Sequence, residues 1–98
     1  MSITKQYLKT KPFCKVTFLL NNLTASSVAV VGDFNAWDPT KNQLKKLKNG
    51  TFKATLNFPK ETSYEFRYLI DGEFSNDAEA DRFQWNAYAN TENSVLEL

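Results

Sequence analysis

Apolar and polar residues alternate along most of this chain, and no stretch has a convincing helical period. Cys14, Val16, Phe18 and Leu20 alternate with Lys15, Thr17 and Leu19, which predicts a half-buried strand over 14–20. Val28, Ala29, Val30 and Val31 form a short, mostly β-branched run that suits a strand buried on both faces. Leu44 and Leu47 alternate with Lys45, Lys46 and Lys48, so a short third strand is expected over 44–48. Phe52, Ala54, Leu56 and Phe58 mark one face of a strand over 51–58. Tyr64, Phe66, Tyr68 and Ile70 mark one face of the strongest strand, over 64–70, with Glu65, Arg67 and Leu69 on its other face. Residues 94–98 predict a closing strand.

Between these runs lie turns. Residues 21–27 and 59–63 are polar and turn-like, Asn49-Gly50 and Asp71-Gly72 are hairpin dipeptides, and 76–93 reads as a long polar loop. Residues 1–14 are a polar lead-in or an edge strand, and 15–98 are expected to form one β-sandwich domain. Many short strands with turns at regular spacing predict an all-β, two-sheet antiparallel sandwich. Val16, Phe18, Val30, Phe52, Leu56, Phe66 and Ile70 are its expected core.

One loop stands out against this pattern. After the 28–31 strand come Gly32, Asp33, Phe34, Asn35, Ala36, Trp37 and Asp38. Gly32 is read as permitting a sharp change of backbone direction. Asp33, Asn35 and Asp38 can bond their own backbone and stiffen a turn, and Pro39 bars a helix at Asp38. Trp37, set among polar residues, is either a lid folded onto the core or an outward-held platform.

Composition narrows the choice of partners. The chain has 98 residues, enough for one modest core, and a net charge of +1. No basic patch is available to release counterions from nucleic acid, and the Lys45, Lys46 and Lys48 cluster reads as a solvated strand face. No apolar run has signal-peptide or membrane-spanning length, so no membrane partner is expected and a cytoplasmic setting is. Asn22-Leu23-Thr24 and Asn49-Gly50-Thr51 match the glycosylation pattern, which has no meaning without secretion. The lone Cys14 fits a reducing compartment and a buried small hydrophobe.

The same residues argue against catalysis. With no histidine there is no Ser-His-Asp triad and no imidazole metal site. Asp33, Asp38, Asp71, Asp77, Glu79 and Asp81 supply carboxylates, yet each has a turn-forming or solvating role, and the chain is short for a deep cleft. Asp77, Glu79 and Asp81 alternate as calcium ligands can, but without an EF-hand pattern they read as solvated loop charges. No enzyme activity, cofactor or metal is expected.

Gly-Asp-Phe-Asn-x-Trp at 32–37, a strand running into Asp71-Gly72-x-Phe74, and the terminal Asn93-Ser94-Val95 together resemble the family 48 carbohydrate-binding modules. These are the early-set, immunoglobulin-like N-terminal domains of isoamylases and glycogen branching enzymes. The glycogen-binding domain of the AMP-activated protein kinase β subunit is a relative. The resemblance covers about 15–98 and implies non-catalytic binding of an α-1,4/α-1,6-glucan, glycogen or starch-like. Glucose units present apolar C–H faces for flat aromatics and rims of hydroxyls for polar side chains. The resemblance places Trp37 as the stacking ring, Arg67 where the relatives have a lysine, and Phe74 where they have a second tryptophan. Thr91 and Asn93 match a threonine and an asparagine before the final strand. Ala89 falls where a leucine pierces the ring of sugars. Phe74 and Ala89 are thus departures from the pattern; Trp85 either compensates for them or belongs to the core, and Asn35 is a further candidate contact. Some modules of this family act mainly as packing surfaces, which leaves a second reading: a regulatory subunit that docks onto a glycogen-metabolising enzyme through exposed aromatics.

Overall fold

A computed structural model describes residues 2–21 and 24–98. Asn22 and Leu23, which belong to the predicted 21–27 turn and to the first glycosylation pattern, lie outside the described residues. In chain order the strands are β1 (Ser2–Tyr7), β2 (Phe13–Leu20), β3 (Val28–Gly32), β4 (Lys45–Lys46), β5 (Phe52–Pro59), β6 (Ser63–Ile70), β7 (Glu73–Ser75), β8 (Arg82–Asn86) and β9 (Thr91–Glu97). Among the described residues there is no helix. One sheet has the order β1-β2-β5-β4 and the other β3-β6-β9-β8, with β7 paired to β6; every pairing is antiparallel. The chain is an all-β, immunoglobulin-like sandwich.

The alternation sets which faces meet. Val16, Phe18, Val30, Phe52 and Phe66 are buried, and Leu56 and Ile70 pack against them half-buried, so the expected core is the observed one. Phe18 meets Phe66 and Tyr68 edge-on, with ring centroids 5.5 Å and 6.2 Å apart, as ring quadrupoles favour. All of β3 is buried, and Cys14 is buried as a small hydrophobe.

Of the two readings of the first residues, the edge strand is the one seen, with β1 paired to β2 from Ser2↔Leu19 to Tyr7↔Cys14. Three local expectations are corrected. The third strand shrinks to Lys45 and Lys46, since the residues before it bond the other sheet. Leu44 N–H donates to the Val28 carbonyl at 2.8 Å, and Val30 N–H donates to the Asn42 carbonyl at 2.9 Å. The segment therefore crosses between the sheets, with Leu44 buried at the crossing. The next hairpin does not place Asn49 and Gly50 at its two central positions. Gly50 N–H donates back to Leu47, and Gly50 alone takes a positive φ of 86°, so the turn centres on Lys48 and Asn49 with Gly50 as the bulge. Finally, the 76–93 loop contains β8, which pairs with β9 along its whole length. The Asp71-Gly72 turn is as expected, with φ of 47° and 86° joining β6 to β7.

The 76–81 segment is held by a buried polar network. Tyr68 Oη donates to Asp77 Oδ2 at 2.7 Å, and both residues are fully buried. Asp77 N–H donates to Ser94 Oγ at 3.0 Å, and Ser94 Oγ donates to Asn76 Oδ1 at 2.8 Å. Burial, and then the neighbouring Asp77 carboxylate, push the Tyr68 hydroxyl far above the usual tyrosine range. Tyr68→Phe is expected to lower stability by about 2 kcal/mol, because it strips a charged acceptor of a donor inside the core. In a chain of this size that is a fall in Tm of about 10 °C, read by calorimetry. A variant that melts with the parent would show that the network is dispensable.

Candidate functional site

The site is built on the outer face of the β3-β6-β9-β8 sheet. Residues directly opposite in an antiparallel pair share a face. Val31↔Arg67, Leu69↔Phe74, Glu65↔Val95, Gln84↔Asn93 and Asn86↔Thr91 therefore place Arg67, Phe74, Thr91, Asn93, Gln84 and Asn86 on the same side, away from the core.

The loop after β3 brings Trp37 over this face. Gly32 is glycine for a reason other than a sharp turn: its φ is not positive. A Cβ there would stand 2.5 Å from the Glu65 carbonyl oxygen and 2.6 Å from Phe34 Cε1, so the need is close approach. Asp33 extends the strand pairing, with its N–H on the Glu65 carbonyl at 3.1 Å and its Oδ2 accepting from Glu65 N–H at 3.2 Å. Phe34 anchors the loop edge-on to Phe58 and Tyr64, at centroid distances of 5.0 Å and 6.1 Å.

Asn35, a candidate contact in the sequence, works here as loop scaffold. It is buried, and its Oδ1 accepts from Gly32 N–H at 3.0 Å. Its Nδ2 donates to the Val30 carbonyl at 3.1 Å and to Asn42 Oδ1 at 2.7 Å. Ala36 and Trp37 then take left-handed φ of 57° and 58°, a conformation that L residues adopt at a cost, and Trp37 N–H closes the loop on the Gly32 carbonyl at 2.9 Å. Asp38 Oδ1 accepts from the Thr40 hydroxyl at 2.7 Å and its N–H at 2.9 Å, and these bonds hold the Asp38 carboxyl below the usual carboxylate range.

Arg67 stands between two rings. Its guanidinium carbon lies 4.4 Å from the Phe74 centroid and 5.6 Å from the Trp37 centroid. The ion pairs among the described residues are Lys5–Asp81 and Arg82–Glu97, so Arg67 belongs to neither, and its buried Nε has no hydrogen-bond partner. A planar cation stacked on two π faces holds both rings in fixed positions, each contact contributing about 0.5–1 kcal/mol. Phe74 is 58 % exposed beyond this stack. Trp37 is half-buried, so its indole is neither a core lid nor a free side chain.

Trp37, Arg67, Phe74, Asn86, Tyr88 and Ala89 together line an open cradle of about 320 Å³. Tyr88 is fully exposed at the tip of the β8–β9 turn, where Asn86 Oδ1 accepts from the N–H groups of Tyr88 and Ala89 at 3.1 Å and 3.2 Å. Tyr88 and Asn86 were not anticipated from the sequence, although Tyr88, an aromatic set in the Asn86-Ala87-Tyr88-Ala89-Asn90 turn, carries the same signal as Trp37. Thr91 and Asn93 share the sheet face but do not line the cradle. Trp85 is 56 % exposed on the edge strand β8, so it is not core, and it borders a second groove with Trp37.

The metal reading finds no geometry. Asp77 is engaged by Tyr68, while Asp81 pairs with Lys5 at 2.6 Å, and among the described residues no group of three acidic or cysteine side chains is placed around one point.

The family model described as carbohydrate-binding module 48 (isoamylase N-terminal domain) matches residues 6–89. No curated protein matches the chain.

Proposed function

The chain belongs to the carbohydrate-binding module 48 family, modules that bind carbohydrate and are typically non-catalytic, and from that premise we propose that its ligand is an α-glucan, glycogen or starch-like, bound in the cradle and not turned over. The observation that carries this reading is the Trp37–Arg67–Phe74 stack. It presents aromatic surface to solvent in a fixed geometry, and the exposed Tyr88 adds a further ring beside it. These groups come from three loops or strands and a turn, and they enclose a concave space rather than a flat row. A curved α-1,4 chain suits that shape better than a flat β-linked ribbon. The cytoplasmic setting belongs to the same proposal and is supported by the unpaired, buried Cys14. Calorimetric titration with glycogen and β-cyclodextrin is expected to show binding, near millimolar for a short oligosaccharide or roughly −4 kcal/mol, while cello-oligosaccharides give no heat. Equal binding of both linkages would overturn the α-glucan assignment, and reducing sugar released from glycogen by pure protein would overturn the non-catalytic one.

Arg67→Ala is expected to weaken glucan binding at least tenfold while the domain stays folded. Arg67 faces outward from the core, so the loss falls on the stack and on the charged hydrogen bond its head offers a sugar hydroxyl, about 1.5–3 kcal/mol. Arg67→Lys, the residue the relatives carry here, should retain more binding than Arg67→Ala, since an ammonium keeps a charged donor beside the rings. Titration of both variants against β-cyclodextrin checks this.

The regulatory-docking reading is supported by a separate feature. Phe83 and Trp85 are exposed on β8, the outer strand of its sheet, and Phe83 lies outside the cradle. Tryptophan emission separates the readings: a maltooligosaccharide shifts it if the cradle binds sugar, and a glycogen-metabolising enzyme alone shifts it if the aromatics dock protein.

A further inference from the structure

The edge of a β-sheet presents a row of unpaired N–H and C=O groups, and proteins guard such rows with lysine, proline, short strands or a covering segment. Most edges of this sandwich are guarded. β1 carries Lys5, β4 is two lysines, and β7 is three residues with Glu73 among them. The edge of β3 is covered by the crossing segment, through Val30 N–H on the Asn42 carbonyl and Leu44 N–H on the Val28 carbonyl. β8 is different. It is the last strand of its sheet, and among the described residues it pairs with β9 alone. Arg82-Phe83-Gln84-Trp85-Asn86 contains no proline, glycine or lysine, and the charge of Arg82 is met by Glu97. Phe83 and Trp85 stand 42 % and 56 % exposed on it.

The strand is also complementary to itself. Laid antiparallel against a second β8 with Gln84 opposite Gln84, it sets Phe83 of each copy against Trp85 of the other, and Arg82 against Asn86. Residues directly opposite share a face, so two aromatic pairs form on the side away from Gln84, and such cross-strand pairs are favourable. No like charges meet. Each Gln84 amide has both donors and an acceptor, so two of them exchange hydrogen bonds across the two-fold axis. A register shifted by one residue opposes every aromatic to a polar side chain, and one shifted by two leaves an aromatic of each copy against Asp81 or Ala87.

We propose that β8 is a dimerisation edge, through which two copies of this chain pair antiparallel into one continuous sheet centred on Gln84. Gln84 lies on the same outer face as Asn86 and Arg67, so the two-fold axis stands perpendicular to the sheet and both cradles open on one side. The dimer then grips a many-ended ligand through two cradles at once. That second step rests on the α-glucan reading of the cradle, and the pairing itself does not. A five-residue edge is smaller than a standard interface, so the dissociation constant is expected at about 0.1 mM.

Sedimentation equilibrium of the whole chain should show twice the monomer mass above about 0.1 mM and the monomer well below it. Phe83→Lys puts a charge on the edge and lies outside the cradle, so it should stay monomeric throughout and keep the parent's affinity for maltotriose. Trp85→Lys, read by mass alone, serves if Phe83→Lys does not fold. Gln84→Cys tests the register: residues opposite each other on the axis are within disulfide reach, so oxidation should link the two copies, while the native Cys14 is buried. At concentrations where the parent is a dimer, glycogen should hold it at least tenfold more tightly than Phe83→Lys. A parent that stays monomeric, whether or not a glycogen-metabolising enzyme binds at β8, would overturn the pairing, as would folded lysine variants that dimerise as the parent does. A dimer that Gln84→Cys does not link would overturn the register. A dimer held by glycogen no better than Phe83→Lys, with maltotriose binding intact in both, would overturn the two-cradle grip alone. A dimer that binds neither sugar would leave the pairing standing and overturn the α-glucan reading.

Discussion

Trp37→Ala should abolish measurable glucan binding and lower the melting temperature by only a few degrees. The indole sits where the cradle and the second groove meet, so its loss removes surface from both. It also frees one side of Arg67, whose guanidinium then has only Phe74 to hold it. With a parent affinity near millimolar, a loss of even 1.4 kcal/mol is about tenfold and moves binding beyond detection. The stability cost is small because the ring is half-buried and lies outside the core cluster. About 1 kcal/mol for the lost cation–π contact and the partial burial accounts for it. Pre-organisation explains the leverage: the loop is closed by Gly32, Asn35 and Asp38 before any ligand arrives, so a weak ligand need not order it. A Trp37→Ala protein retained on glycogen as well as the parent would remove the indole from the site. A fall in stability of 3–5 kcal/mol would make it a core residue instead.

The sandwich was legible because its strands keep strict alternation where one face is buried, and each of Phe18, Phe52 and Phe66 fell where period two placed it. Legibility failed where tertiary contacts compete with local pattern. Leu44 and Leu47 alternate with lysines as a strand would, yet Leu44 bonds the opposite sheet and Leu47 closes a bulged turn. The β8 strand hid because alternation of Arg82, Gln84 and Asn86 with Phe83 and Trp85 was masked by the acidic residues before it and the turn after it. Without β8 the sequence gives no groove wall, so Asn86, Tyr88 and the second groove could not be seen. The chemistry of a loop is also easier to list than its roles. Asn35 and Trp37 look equally exposed in a polar stretch, and only the hydrogen bonds to Gly32, Val30 and Asn42 show that one is the fastener and the other the fastened.

Gly32→Ala is expected to damage fold and function together. The added Cβ would meet the Glu65 carbonyl oxygen, a backbone atom of the neighbouring strand, at 2.5 Å, and Phe34 Cε1 at 2.6 Å. Neither can step aside cheaply. Glu65 is locked between β3 and β9, and the Phe34 ring is wedged against Phe58 and Tyr64. Overpacking of this kind costs about 3 kcal/mol, which in a chain this size lowers Tm by about 12–24 °C. The backbone that must shift is also the one that seats the indole, because the Gly32 carbonyl accepts from Trp37 N–H and from Asn35 N–H, and its own N–H donates to Asn35 Oδ1. The variant should therefore lose glucan affinity even at temperatures where it is still folded, unlike Tyr68→Phe, which strikes a network that does not line the cradle. Melting and β-cyclodextrin titration of the two variants side by side check this. A Gly32→Ala protein that melts within a degree or two of the parent would show that the strand and the ring can give way. One that melts low but binds as tightly as the parent would show that the seat of Trp37 is not set by Gly32.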